Sequence, residues 1–107
     1  REWTLLSLNG ERVAVEKPPT MTFAGGELSI FGGINRLSGL YALIYDRVVM
    51  GDLTATEMAG PLELMALEEE FASTLRAVDR FHVHGPRLQL LSGETVVATF
   101  HSRDYGF

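Results

Sequence analysis

The chain has 107 residues, 46% of them hydrophobic and 21% charged, and its formal net charge is −5. A chain of this length and apolar content can form one domain with its own core, which argues against disorder, collagen-like repetition and a coiled coil. The sequence contains no cysteine, so disulfides, thiolate metal sites and thiol catalysis are excluded. It has a single lysine and scattered arginines. Because nucleic-acid binding requires clustered basic residues, we expect no nucleic-acid partner.

Short apolar segments separated by turn dipeptides predict antiparallel strands in the first half of the chain. Asn9-Gly10 suits the positive φ angles of a tight hairpin, Gly25-Gly26 predicts another turn, and a third is expected at Asp46-Arg47. The strands predicted between these turns span residues 3–8, 20–24, 27–31, 39–45 and 47–53.

One amphipathic helix is predicted over about residues 61–78. Pro61 fits the first helical position, where a missing N–H costs nothing, and Glu63 lies in the first turn. Apolar residues then recur every three or four positions, at Leu64, Leu67, Phe71, Leu75 and Val78. The acidic residues Glu68 and Glu69 fall on the other side of this helix, and we interpret them as a solvated face.

Alternating apolar residues return after the helix and predict three final strands, at residues 81–84, 88–90 and 95–100. The sequence shows no linker, internal repeat or second compositional region. We therefore predict a single α+β domain spanning residues 1–107. It is mostly β, with an antiparallel barrel- or sandwich-like sheet and one packed helix.

The histidines are the candidates for a metal site. His82 and His84 lie two residues apart on a predicted strand and therefore share a face, and His101 offers a third ligand. We favour the alternative in which both lie on the solvent face of a strand whose apolar face is Phe81 and Val83. No fourth ligand is evident, nor a carboxylate to orient the ring nitrogens.

Motifs of catalysis are missing from the sequence. There is no G-x-S-x-G turn, and no G-K-[ST] follows the glycine pairs Gly25-Gly26 and Gly32-Gly33. We therefore expect a protein that is not an enzyme and that holds no cofactor and no metal. The histidines leave a metal-binding protein or a hydrolase as an alternative.

The segment Leu40 to Tyr45 is apolar on both of its alternating faces. One face can line the core, and the other also needs cover. Either the helix provides that cover, or the face formed by Tyr41, Leu43 and Tyr45 remains open as a partner-binding surface. This segment is also the longest apolar run, and it ends at Asp46, well short of a membrane span.

Several ordered motifs resemble the META domain, also called HslJ-like, of bacterial envelope lipoproteins and heat-shock-associated proteins. The resemblance covers residues 3–100. It rests on the opening Trp3-Thr4-Leu5, on the helix through Glu70-Phe71 and Leu75, and on three further segments. These segments are G-I-N-R-L-S-G-L-Y at residues 33–41, L-T-A-T-E-M-A-G-P at 53–61 and L-Q-L-L at 88–91.

Family members typically carry a cysteine in each of the two central motifs, and here Ile34 and Gly60 replace both. The resemblance implies that such a pair could bridge the strands to the start of the helix, so this chain must hold that junction by packing alone. The other motif residues are expected to be structural, although Asn35 and Arg36 could instead contact a ligand. In the structural interpretation Asn35 bonds nearby backbone and Arg36 pairs with a carboxylate. The remaining positions of this set are Gly39, Met58 and Pro61.

The resemblance implies a non-enzymatic, periplasm-facing domain that binds or assembles a protein partner in the cell envelope. Members are described mainly through stress resistance, motility or secretion. We expect a lipoprotein of the periplasm or the inner leaflet of the outer membrane, whose signal peptide and lipid anchor precede Arg1 and provide its only membrane contact. A more specific alternative is a pilot protein (pilotin) that guides a secretin subunit of a type III secretion system.

Overall fold

The computed structural model describes residues 1–102, which form ten strands and one helix. The helix, α1, spans Leu62–Arg76. The strands are β1 (Glu2–Leu8), β2 (Glu11–Arg12), β3 (Thr20–Ala24), β4 (Glu27–Phe31), β5 (Arg36–Ile44), β6 (Arg47–Met50), β7 (Thr54–Ala55), β8 (Arg80–His84), β9 (Arg87–Ser92) and β10 (Thr95–His101).

Eight of these strands close into an antiparallel barrel, in the order β1-β3-β4-β5-β6-β8-β9-β10. The ring closes because β10 returns to pair with β1, with Thr4 opposite His101 and Leu8 opposite Ala98. The two-residue strands β2 and β7 pair with β1 and β5 outside this ring. The predicted fold class, mostly β with one helix, is therefore confirmed, and the sheet is a barrel.

Some element boundaries differ from those predicted. β5 begins at Arg36, where pairing with β4 already starts. The turn after β5 is Tyr45-Asp46, because Ile44 pairs directly with Arg47. The helix is shorter than predicted: Pro61 is its N-cap, and its last turn closes as the N–H groups of Ala77 and Val78 donate to the carbonyls of Thr74 and Leu75, respectively.

The helix covers one end of the barrel and completes the core there. Phe71 and Leu75 are fully buried, and the Phe71 ring lies 6.0 Å from that of Phe100 on β10. At the same end Asn9, in the β1–β2 turn, donates from Nδ2 to Glu70 Oε2 and Thr74 Oγ1, both at 3.0 Å. The β3–β4 and β8–β9 turns lie beside the first residues of β1, and therefore at the opposite end of the barrel. No helix within residues 1–102 is long and apolar enough to cross a membrane.

Candidate functional site

Asn35 joins the β4–β5 loop to the helix and to the segment that precedes the helix. Its Nδ2 donates to Glu68 Oε1 at 2.7 Å and to the Met58 carbonyl at 3.1 Å. Its Oδ1 accepts from the Met58 N–H at 2.7 Å and from Thr56 Oγ1 at 2.8 Å. These four bonds use the two donors and both acceptor positions of the amide. The buried Asn35 side chain is thus occupied by the protein's own groups.

Glu68 is the helix residue that receives this loop. Besides Asn35 Nδ2, the N–H groups of Ile34 and Asn35 donate to Glu68 Oε2 at 3.0 and 2.6 Å. Partial burial raises the pKa of Glu68, but the hydrogen bonds from Asn35 and Ile34 together outweigh it, so the pKa lies below its ordinary value of 4.5. We call these groups the Asn35–Glu68 junction.

The prediction that Glu68 lies on a solvated helix face is therefore wrong. Glu68 stands four residues after Leu64 and three before Phe71, so it shares the helix side that meets the barrel. The carboxylate reaches from that side to loop N–H groups that need an acceptor. The three-residue spacing between Glu68 and Phe71 is the feature of the sequence that predicts this placement.

Arg36 lacks the ion pair expected for it: within residues 1–102 its guanidinium pairs with no carboxylate. Its main-chain N–H donates to Thr56 Oγ1 at 3.1 Å. The exposed side chain lines an open cleft of about 460 Å³ whose polar wall consists of hydroxyl groups, including those of Ser29, Ser38 and Thr54. Hydroxyl groups therefore line the cleft beside Arg36, where the structural interpretation predicted a carboxylate partner.

The other motif residues occupy positions set by the backbone. A Cβ at Gly39 would lie 2.9 Å from the Asp52 carbonyl oxygen, so a side chain there would push away the segment between β6 and β7. The Pro61 carbonyl accepts the first helical N–H groups, those of Leu64 and Met65, at 3.1 and 3.0 Å. Met58 bonds Asn35 through its main chain, while its side chain is exposed.

Ile34 and Gly60, which replace the family's cysteines, fit against each other. A Cβ at Gly60 would lie 2.7 Å from Ile34 Cδ1 and 3.1 Å from Cγ1. The large side chain at position 34 therefore occupies the space left by the missing one at position 60. This packing holds the junction that the resemblance assigns to a cysteine pair.

The β5–β6 hairpin, residues 40–49, exposes apolar side chains on both faces. Leu40 and Ile44 point outward, and Leu43, on the opposite face, remains half exposed. Tyr41 is half-buried, with its ring edge-on to Phe23 at 5.0 Å. The hypothesis that the helix covers the Tyr41, Leu43 and Tyr45 face is wrong, because the helix lies at the other end of the barrel. Leu43 and Tyr45 remain open.

Tyr45 occupies the tip of this hairpin in a costly conformation. Its φ is +57°, and its side chain is 96% exposed. The first residue with positive φ in the turns at Asn9-Gly10, Gly25-Gly26 and Gly85-Pro86 is asparagine or glycine, the types that adopt this region most easily. Tyrosine gains no burial here to offset the strain.

An apolar pocket of about 140 Å³ opens near this hairpin, at the end of the barrel that the helix leaves uncovered. We call it the mouth pocket. Sequence analysis missed it, because it forms only when strands distant in sequence curl into one ring. Eight side chains line it: Trp3, Phe23, Leu43, Val48, Phe81, Val83, Leu88 and Leu90.

The histidines do not form a metal site among residues 1–102, where no three His, Asp or Glu side chains are placed to hold an ion. His82 and His84 are exposed on β8, next to the inward-facing Phe81 and Val83 that line the mouth pocket. His101 lies two strands away, since Arg87 on β9 separates it from His84.

A closed antiparallel barrel with a helix over one end and an apolar mouth at the other defines the class of this chain as a small β-barrel domain. The chain belongs to the META-domain family, whose model matches residues 1–105. It is similar to a protein from Burkholderia xenovorans solved by NMR, with 26% identity and a TM-score of 0.78 over 96% of this chain and 81% of that one.

A second protein solved by NMR shares the fold, with 23% identity and a TM-score of 0.74 over 96% of this chain and 89% of that one. A comparison with curated proteins gives no match.

Proposed function

We propose that this chain is a non-enzymatic domain that binds or assembles a protein partner in the cell envelope. The observation that carries the proposal is the β5–β6 hairpin, which presents Leu40, Leu43, Ile44, Tyr45 and Val49 to solvent. Single exposed apolar residues are ordinary, but contiguous apolar patches mark interaction sites.

The conformation of Tyr45 supports the same proposal. A non-glycine residue in the left-handed region costs roughly 1–2 kcal/mol, and a side chain that is 96% exposed recovers none of this by packing. Backbone strain of this kind concentrates at functional sites. An aromatic ring held at a hairpin tip is suited to contact another molecule, because aromatic residues are enriched at protein interfaces.

Membership of the META family, together with the resemblance to its lipoproteins, supports the envelope location in this proposal. A periplasm-facing lipoprotein is the form we propose. A pilot protein for the secretin of a type III secretion system is the more specific version, in which the partner is a secretin subunit and the hairpin is the contact.

A photo-crosslinking amino acid placed at Tyr45 in living cells tests this proposal, with the same amino acid at Leu62 as the control. Leu62 is also strongly exposed but begins the helix at the other end of the barrel. We expect Tyr45 to give one dominant crosslinked envelope protein, identified by mass spectrometry, that Leu62 does not give. A secretin subunit in that band would select the pilotin version.

Equal crosslinking patterns at the two positions would contradict the proposal. So would a dominant partner found in the cytoplasm.

A further inference from the structure

The mouth pocket is apolar throughout its lining. Its floor is formed by Val48, Leu88 and Leu90, all fully or nearly fully buried, while Leu43 and Val83 stand half exposed at the opening. No charged or hydrogen-bonding side chain except the Trp3 indole belongs to the lining, and no helix residue contributes to it. A bound water needs two to four polar partners, so this space favours an apolar occupant over water.

The volume sets the size of the occupant. An apolar cavity of about 150 Å³ accepts a molecule the size of benzene, and the mouth pocket measures about 140 Å³. Three aromatic rings, those of Trp3, Phe23 and Phe81, line the space, and such rings pack favourably edge-on or offset against another ring. One aromatic or branched aliphatic side chain therefore fits, and a long acyl chain does not.

On the side formed by β6, β8 and β9, the outer surface beside the pocket is basic, although the whole chain has a net charge of −5. Strands β6, β8 and β9 supply five of the eight lining residues and contain no acidic residue. On these strands Arg47 lies directly opposite Arg80, and His84 lies opposite Arg87.

Like charges directly across two strands destabilise a sheet, and a negative charge bound close to both would relieve that repulsion. The nearest acidic residues in sequence are Asp46, in the hairpin turn, and Asp79, whose Oδ1 already accepts the Gly93 N–H at 2.9 Å. These two aspartates keep their charge, but Arg47, Arg80 and Arg87 outnumber them on this side of the pocket, so the remaining charge complements an acidic segment.

From this geometry we infer that the mouth pocket is the anchor site for the partner of the proposed function, on which this inference rests. The pocket takes one apolar side chain no larger than a benzene ring, carried by a partner segment whose flanking residues are acidic. Arg47 and Arg80 face those acidic residues, and the β5–β6 hairpin borders the segment.

Benzene is the first probe of the pocket, because it has the size and shape of the proposed apolar side chain and is free of the rest of the partner. We expect saturable one-site shifts of the Val48, Leu88 and Leu90 methyl NMR signals, with a parallel change in the fluorescence of Trp3, the single tryptophan. Val83→Phe should block the opening and weaken binding by at least about tenfold.

Val96→Phe is the matched control, since Val96 is a similarly exposed strand residue outside the lining. Absent or non-saturable shifts, or equal weakening by both variants, overturns the inference.

A pair of amphiphiles with the same ring tests the charge. We expect 3-phenylpropionate to bind several-fold more tightly than 3-phenylpropylamine at low salt, and Arg47→Gln with Arg80→Gln to remove that preference. Equal affinities for the two compounds would show that acidic flanks are not selected and would overturn that assignment.

Failure of this inference is distinguishable from failure of the proposed function. Crosslinking from Tyr45 that persists unchanged in the Val83→Phe protein means that the partner binds the hairpin without using the pocket, which overturns only the inference. Loss of the Tyr45 crosslink in Val83→Phe, but not in Val96→Phe, supports both.

Discussion

The Glu68 carboxylate accepts three hydrogen bonds from the β4–β5 loop. A change of this one group therefore affects Ile34, Asn35 and the segment around Met58 that Asn35 bonds. We expect Glu68→Gln to lower the free energy of unfolding by about 1–3 kcal/mol, because an amide nitrogen replaces one acceptor oxygen and leaves a donor unpaired. Urea denaturation measures this. Glu69→Gln, at the exposed next position, is the control, and equal losses in both variants would contradict the assignment.

The same contribution depends on pH. The pKa of Glu68 is lowered in the folded protein relative to its ordinary value of 4.5. Its stabilising effect is therefore fully present above that value and disappears as pH falls through the lower, folded pKa. The stability difference between the parent protein and Glu68→Gln should be largest near neutral pH and shrink below about 4.5. A difference that grows on acidification would show that the sign is wrong.

Ile34 and Gly60 allow a direct test of the cysteine-free junction. A Cβ at position 60 would lie 3.1 and 3.5 Å from the two γ carbons of Ile34, which places the Cβ atoms near the separation of about 3.5–4.5 Å found in disulfides. We expect the double variant Ile34→Cys, Gly60→Cys to oxidise readily and to gain roughly 2–4 kcal/mol over its own reduced form. Thermal unfolding with and without reductant measures the gain, and a double variant that stays reduced in air contradicts it.

Among the elements, the β5–β6 hairpin combines a stability cost with an exposed aromatic tip. We expect Tyr45→Gly to raise the free energy of unfolding by roughly 0.5–1 kcal/mol, because glycine adopts positive φ without strain and no packing is lost. The same change should remove the contact with the partner. Urea denaturation measures the gain in stability. The crosslinking assay, with the photo-crosslinking amino acid at a neighbouring position of the hairpin, measures the loss of partner contact. A less stable variant would rule out strain at Tyr45.

The sequence predicted most elements because their signals are local. Paired glycines and Asn9-Gly10 mark turns through φ alone, and the spacing of Leu64, Phe71 and Leu75 marks the helix whatever it packs against. The turn at Tyr45-Asp46 was misplaced by one residue because tyrosine is not a turn-forming residue at positive φ. Its position follows instead from the register of Ile44 with Arg47.

The candidate site depended on information that is not local. Leu43 was singled out from an apolar run, but its neighbours in the mouth pocket come from β1, β3, β6, β8 and β9. The sequence identifies which residues are apolar, and barrel closure decides which of them meet. Glu68 shows the same limit, because its acceptor role depends on a loop more than thirty residues away.

For the whole molecule, closure of the barrel by its first and last strands ties both ends of the core together. Phe100 on β10 is fully buried and packs against Phe71 of the helix, so we expect Phe100→Ala to cost about 3–5 kcal/mol. Trp3 fluorescence reports the mouth end of the barrel, and far-ultraviolet circular dichroism reports the whole backbone, including the helix at the other end. The unfolding transitions that the two signals report in urea should coincide, both in the parent protein and in Phe100→Ala. Separated transitions would show that the two ends of the barrel unfold independently.

The pairing of β1 with β10 also fixes where attachments can be made. Arg1 lies over the Trp3 ring, at 5.2 Å, and the Ser102 N–H bonds to the Pro86 carbonyl in the β8–β9 turn. Both positions lie at the mouth end of the barrel, so a bulky affinity tag fused directly before Arg1 would lie close to the opening. Immobilisation through the Gly93-Glu94 turn, beside the helix end, leaves the opening facing the solution.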